Sequence, residues 1–280
     1  MTAYLRPPTL DIALAALAAE SRTIIAGGTD FYPARGGRPV DEQLLDITGI
    51  EELRGIRDAG DHWRLGAAVT WTELLETPLP PAFDALKLAA REVGGRQIQN
   101  AGTLCGNVCN ASPAADGMPA LLALNALVEL RSPSSTRALP LATFVSGPRR
   151  TRRLPDEIVT ALLVPAPAPG ALGGFAKLGA RRYLVISIVM AAAVLEPDDA
   201  GRITTARVAV GACSPVAARL PGLEADLAGH PVSADLGDLV APRHFEHLAP
   251  IDDVRASSAY RRDAAHTVVA RLLSRLGAGR

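Results

Sequence analysis

Thr23-Ile24-Ile25-Ala26-Gly27-Gly28-Thr29-Asp30 is a β-branched run that ends in two glycines, a hydroxyl and a carboxylate. The run predicts a short strand, and the glycines predict a tight turn directly after it. Adjacent glycines let backbone N–H groups converge into a small concavity, and such nests hold phosphate oxygens. Taken alone, the turn is more simply read as glycine used for its dihedral freedom. A second stretch of similar character follows. Residues 94–110 are polar, glycine-rich and without clean periodicity, so they read as one long loop that contains Thr103-Leu104-Cys105-Gly106-Asn107. Loops of that length inside a compact domain are uncommon and often functional. Thr103 brings a hydroxyl and Asn107 both donors and an acceptor, with Asn110, Ser112 and Asp116 close behind. One such loop reads as polar surface. Two of them, neither carrying a lysine, make a diphosphate held between neutral loops a fair hypothesis.

Outward from these loops, Thr9 after Pro7-Pro8 predicts a capped helix through Ile12, Leu14 and Leu17. Asp30 is placed to cap a short helix that tolerates Pro33. Strands are predicted over 44–47 and 63–69. Thr70 with Glu73 spells a capping box. Helices are predicted over 81–92 and 118–126, and a strand over 127–131. Pro165-Ala166-Pro167-Ala168-Pro169-Gly170 is a proline-dense connector that divides the chain into 1–168 and 169–280. Beyond it, strands are predicted over 174–178, 186–195 and 203–210, the last two as a hairpin. Helices over 216–227 and 258–276 complete an α+β unit rather than a βαβ one.

The chain has 280 residues, enough for a sizeable core, and 48% apolar with 21% charged residues is globular composition. Lys plus Arg is 29 and Asp plus Glu is 29, so no basic excess points to nucleic acid or an anionic membrane. The longest apolar stretch, 184–195, is shorter than the ~20 residues a bilayer requires. No apolar run follows Met1 to Pro8, so no secretory leader is read. Cys105, Cys109 and Cys213 form no disulfide framework, and a reducing cytoplasm is the default. Four thiolates, not three, are usual for a cysteine-held iron–sulfur cluster. Cys105 and Cys109 read as small packed residues rather than a redox or metal pair. Among the histidines only His244 and His247 have a ligand-like spacing, with no third ligand, so no metal is expected. Arg149, Arg150, Arg152 and Arg153 read as a solvated loop. Lys177, in an otherwise apolar strand, reads as solvent-facing. The P-loop, Rossmann, H-E-x-x-H and G-x-S-x-G signatures are missing.

At these residues the chain closely resembles the FAD-binding, medium subunit of the molybdenum hydroxylases, the family of xanthine dehydrogenase and carbon monoxide dehydrogenase. The resemblance covers nearly the whole chain. It is carried by Ala26-Gly27-Gly28-Thr29-Asp30 together with Gly102-Thr103-Leu104-Cys105-Gly106-Asn107. Ala111-Ser112-Pro113-Ala114-Ala115-Asp116, Phe175-Ala176-Lys177-Leu178-Gly179-Ala180-Arg181-Arg182 and the segment Asp253 to Arg262 also match. It implies an α+β fold: a two-lobed FAD-binding domain of the vanillyl-alcohol oxidase type, then a small antiparallel sheet with packed helices. It implies FAD contacts at Ile24, Ile25, Ala26, Gly27, Gly28, Thr29, Asp30, Phe31, Ala101, Thr103, Gly106, Asn107, Asp116, Val159 and Lys177. In the family pattern the first loop offers backbone donors to the pyrophosphate, and Thr103, Gly106 and Asn107 help hold it. Asp116 falls on a sugar or ribityl hydroxyl, and Val159 and Lys177 fall at the flavin end. A Lys177 charge there would suit a reduced, anionic ring.

The resemblance also implies an electron-transfer subunit with no catalytic residue of its own. Its partners would be a small subunit with 2Fe-2S clusters and a large molybdopterin subunit, in a doubled heterotrimer. Two departures stand out. Cys105 occupies the first glycine of the family's second loop, where a side chain should tighten the approach to the cofactor. Tyr183 and Leu184 stand where NAD-reducing xanthine dehydrogenases carry acidic residues. The rival readings are a stand-alone flavoprotein reductase of the same fold and a structural subunit that has lost FAD.

Overall fold

The computed structural model of the chain describes residues 4–279, so residues 1–3 and 280, at the outer ends of the two expected units, lie outside it. The first sheet is parallel. It is built from β1 (Tyr4–Leu5), β2 (Thr23–Ile25) and β3 (Leu44–Asp46), in the order β1-β3-β2. Parallel strands need a crossover, and α1 (Leu10–Ala19) supplies the one from β1 to β2. Thr9 caps α1 as the sequence predicts, its hydroxyl oxygen accepting from the Ile12 amide. Ligands of open parallel sheets lie beyond the carboxyl ends of the strands. The Gly27-Gly28 turn leaves β2 at that end.

The second sheet is antiparallel. It contains β4 (Ile56–Asp58), β5 (His62–Gly66), β6 (Leu127–Arg131) and β7 (Thr136–Pro140). After a small hairpin, β8 (Val145–Gly147) and β9 (Arg150–Thr151), the long β10 (Ile158–Pro165) enters between β5 and β6. Leu65, Val128, Leu130 and Leu162 bury its inner face. Five helices fill the interval between β5 and β6: α2 (Trp71–Glu76), α3 (Asp84–Glu92), α4 (Arg96–Ala101), α5 (Leu104–Asn110) and α6 (Gly117–Ala123). A single turn, α7 (Leu141–Phe144), follows β7. The capping box at α2 forms as read: Glu73 accepts from the Thr70 amide, and Thr70 accepts from the Glu73 amide.

The third sheet is antiparallel, with β11 (Leu172–Leu178), β12 (Val189–Pro197), β13 (Ile203–Gly211) and β14 (Ala218–Arg219) in sequence order. The expected hairpin joins β12 to β13, its turn held by Asp198, which accepts from the Ala200 and Arg202 amides. Helices α8 (Pro221–Leu227) and α9 (Ser258–Gly277) pack on one face. Side chains alternate along a strand, and here the alternation serves two cores. Met190, Ala192 and Val194 join the core of the first two sheets, while Val189, Ala191, Ala193 and Leu195 join that of α8 and α9.

Four local expectations are corrected. The long loop over 94–110 is two short helices, α4 and α5, separated by Gly102 and Thr103. The helix expected from 216 starts at Pro221, because Ala218 and Arg219 extend the third sheet by pairing with Val210 and Ala209. Among the described residues Asp30 caps nothing through its side chain; the 3-10 turn Pro33–Arg35 begins after Tyr32. The strand over 63–69 ends at Gly66, where a Cβ would lie 2.2 Å from the Leu53 carbonyl oxygen.

Candidate functional site

The two glycine-rich segments meet. A Cβ on Gly27 would lie 1.8 Å from the Ala101 carbonyl oxygen and 2.9 Å from the Gly102 Cα, so only glycine lets the first turn seat on the end of α4. Gly28 has φ +65°, a left-handed conformation, and the Tyr32 ring covers the space its Cβ would take, 2.7 Å away. A Cβ on Gly102 would lie 3.2 Å from the Thr29 hydroxyl. Thr29 therefore also reaches the second segment. The junction is fixed from behind: the Trp71 amide donates to the Gly102 carbonyl and the Leu104 amide to the Val69 carbonyl, each at 3.1 Å.

Thr103 is buried and caps α5, its hydroxyl oxygen accepting from the Gly106 amide at 2.9 Å. Replacing Thr103 by alanine should lower stability by about 1 kcal/mol, the usual loss for such a cap. A urea titration would read this, and flavin binding by the same variant should weaken with it. Asn107 lies one turn along the helix. Its buried Oδ1 has no hydrogen-bond partner among the described residues. Half a turn about χ2 would present the amide N–H donors in the same place. A polar ligand supplies the missing partner either way. This orphaned amide, beside a glycine seat that excludes Cβ, fits a diphosphate-bearing cofactor.

Cys105 does not tighten the loop by reaching towards the junction. Its side chain is buried in the main core with Leu104 and Val108, and burial pushes its thiol well above the ordinary value. All three cysteines are free thiols.

Asp116, just before α6, centres a second buried polar cluster. Its Oδ2 is 2.7 Å from the Lys177 Nζ on β11, and its Oδ1 accepts from the Ser187 hydroxyl at 2.7 Å. Lys177 also donates to the Glu92 carbonyl at 3.4 Å. The two charged side chains are only 5% and 11% exposed, which corrects the solvent-facing reading of Lys177. Burial lifts the Asp116 carboxyl above the usual carboxylate range, and Lys177 and Ser187 pull it partly back. The lysine charge is therefore shared with a carboxylate rather than standing alone. The pair adjoins α5 through Gly117, whose Cβ would lie 3.0 Å from Asn107 Oδ1 and 2.7 Å from the Trp71 ring.

The other expected positions differ in exposure and in what they touch. Ile24 and Ala26 are half-buried, Ile25 is buried and Ala101 and Asp30 are exposed. The Arg35 guanidinium lies 4.5 Å over the Phe31 ring. Val159 is buried on β10 at a bulge, in the same core as Leu104 and Val108 of α5. The arginine run is partly tied down: Arg149 bonds to the Asn110 carbonyl at the end of α5, and Arg153 to the Glu157 carbonyl. His244 pairs with Asp226 and His247 with the Arg219 carbonyl; no cluster of three metal-ligating side chains occurs among the described residues. Sequence reasoning missed Trp71 and Ser187. A tryptophan at the first helical position, inside a capping box, was a usable signal for the first; Ser187 offered none.

Two family models match the chain: residues 1–167 match the FAD binding domain in molybdopterin dehydrogenase, and residues 175–276 match the CO dehydrogenase flavoprotein C-terminal domain. The chain is 31% identical over 277 residues to the xanthine dehydrogenase FAD-binding subunit of Escherichia coli O157:H7, covering 97% of this chain and 94% of that one. It is 31% identical over 254 residues to the nicotinate dehydrogenase FAD-subunit of Eubacterium barkeri, covering 89% and 86%. Among solved structures it is similar to a chain of reconstituted CO dehydrogenase from Oligotropha carboxidovorans, with TM-score 0.91, 26% identity and coverage of 99% and 98%. With its glycine-seated double loop and matching models over both halves, the chain belongs to the FAD-binding subunit family of the molybdenum-containing hydroxylases and dehydrogenases.

Proposed function

We propose that this chain is the electron-transfer flavin subunit of such an oxidoreductase, taking electrons from iron–sulfur clusters on a partner and passing them to an external acceptor. The observation that carries the reading is the seat of Gly27 on Ala101, which joins two donor-rich segments beside the unpartnered Asn107 amide. FAD, when bound, supplies a ring that exchanges electrons one or two at a time. The residues that would hold it are those expected from the sequence. Gly27, Gly28 and Thr29 offer backbone donors to the diphosphate, and Thr103, Gly106 and Asn107 face it from α5. Asp116 keeps spare acceptor capacity on both oxygens for a hydroxyl. Lys177 and Val159 belong to the ring end. The Asp116–Lys177 pair is neutral as a whole, so it orients a ligand without adding net charge to the site.

The finer architecture in this reading is a two-lobed domain of the vanillyl-alcohol oxidase type over 1–168 and an α+β unit over 169–280. The partners are a small subunit with 2Fe-2S clusters and a large molybdopterin subunit, as a doubled heterotrimer in the cytoplasm. Among the described residues no helix is long and apolar enough to cross a membrane.

An absorption spectrum tests the reading. The purified chain, incubated with FAD and desalted, should keep a structured flavin band, and co-expression with its neighbouring subunits should yield a complex containing flavin, molybdenum and iron. A chain that stays colourless both alone and in that complex would exclude the proposal.

A further inference from the structure

We propose that Ser187 is a positioning residue for the Asp116–Lys177 pair, itself held in place by Asp253, Arg255 and Arg261. The inference deepens the flavin-site reading and rests on it, through residues which that reading does not use.

The Asp116 carboxylate is gripped at both oxygens. Lys177 takes Oδ2 and the Ser187 hydroxyl takes Oδ1, each at 2.7 Å. Among the described residues three elements face it: β11 with the cation, the chain leading into β12 with the hydroxyl, and α3 with the Glu92 carbonyl that shares Lys177. Ser187 is the one neutral donor on the carboxylate among the described residues. A buried carboxylate oxygen without a donor is strongly disfavoured, so loss of this hydroxyl shifts the acid towards its protonated form.

Ser187 is itself fully buried, and its backbone is fixed at two successive carbonyls. Arg255 donates from Nη1 to the Ser187 carbonyl at 3.0 Å. Arg261, fully buried at the start of α9, donates from Nη1 to the Ile188 carbonyl at 2.6 Å and to the Ala212 carbonyl at 3.1 Å. One acid orients both guanidiniums: Arg255 Nε is 3.0 Å from Asp253 Oδ2, and Arg261 Nη2 is 2.8 Å from Oδ1. Arg255 holds the Asp253 carboxyl far below the ordinary range, and Arg261 shares the same carboxylate. The late segment Asp253 to Arg262, prominent in the sequence but absent from the cofactor reading, thus fixes a hydroxyl at the cofactor site. The brace is two bonded steps from Asp116, although the residues lie far apart in the chain.

The test follows the Asp116 carboxyl by carbon NMR in the full chain without FAD, and FAD binding by fluorescence. Ser187→Ala should raise the pH midpoint of Asp116 by about one to two units, the equivalent of a hydrogen bond to a charged group. It should also weaken FAD binding about tenfold. Ser187→Cys, nearly isosteric and a weak donor, should move both readings the same way and serves if the alanine variant does not fold. Arg255→Leu should move the midpoint in the same direction by less. A purely structural serine would leave the midpoint in place. A wild-type chain that retains FAD while the midpoint is unmoved in both Ser187 variants overturns this inference and leaves the flavin reading standing. A shifted midpoint in a chain that never binds FAD overturns the flavin reading and leaves the hold of Ser187 on Asp116.

Discussion

Replacing Gly27 by alanine should release FAD from the chain altogether. The added methyl would sit 1.8 Å from the Ala101 carbonyl oxygen and 2.4 Å from its carbon, both backbone atoms that no side-chain rotation can move aside. The first turn must lift by more than an ångström, and every donor it offers moves with it. Overpacking of this kind lowers stability by about 1–3 kcal/mol. The loss of binding should be larger, above about a hundredfold, because positioned donors lose value steeply with displacement. Gly147→Ala is the control, since its Cβ would meet nothing nearer than 3.8 Å. The flavin-to-protein ratio after gel filtration, with a urea midpoint for each variant, separates lost binding from lost folding. Full flavin retention by Gly27→Ala would mean the diphosphate lies elsewhere.

The second large effect concerns charge. Lys177→Met leaves Asp116 buried with only a serine hydroxyl for company, and stripping one member from a buried pair typically removes about 3–5 kcal/mol. The direction with pH follows from the acid. Asp116 already has a folded pKa above its unfolded one, so folding favours its protonated form more than the unfolded chain does. That contribution is complete below the unfolded carboxylate pKa and is lost as pH rises through the folded one. Without Lys177 the folded value climbs further. The deficit of the variant relative to wild type should therefore be greatest near neutral pH and shrink as the medium is acidified. Thermal midpoints from about pH 8 to about pH 5 would show it. The double variant Asp116→Asn with Lys177→Met should recover much of the loss, because it leaves no lone charge. A deficit that stays constant across that range would mean the pair is not what Lys177 supports.

What the sequence made legible was local or repeated. Thr70 with Glu73, Thr9 before α1, and the alternation that built β12 and β13 all depend on neighbours within a few positions. The stretch over 94–110 failed for a physical reason. Its helices have six and seven residues, too few turns for an apolar period to register, and glycines stand at both breaks. The glycine pairs announced a turn, but the reason Gly27 must be glycine is a carbonyl on another segment. Lys177 looked like a surface residue because its partner lies 61 positions away on a different element. Ser187 was invisible, since a single serine in an apolar run carries no pattern. The resemblance supplied candidate site residues that spacing alone left open, and it said nothing of how the late Asp253 segment reaches Ser187.

The double use of β12 has a consequence for how the protein can be divided. Odd-numbered positions from Val189 to Leu195 belong to one interior and the even-numbered ones between them to the other. A fragment ending in the proline-dense connector would therefore lose the β12 face that closes its own core and leave an apolar face bare on each piece. Such faces aggregate unless they are covered. The connector looks like a place to cut, yet the chain has no severable half, and the two sequence units should melt together as one cooperative body.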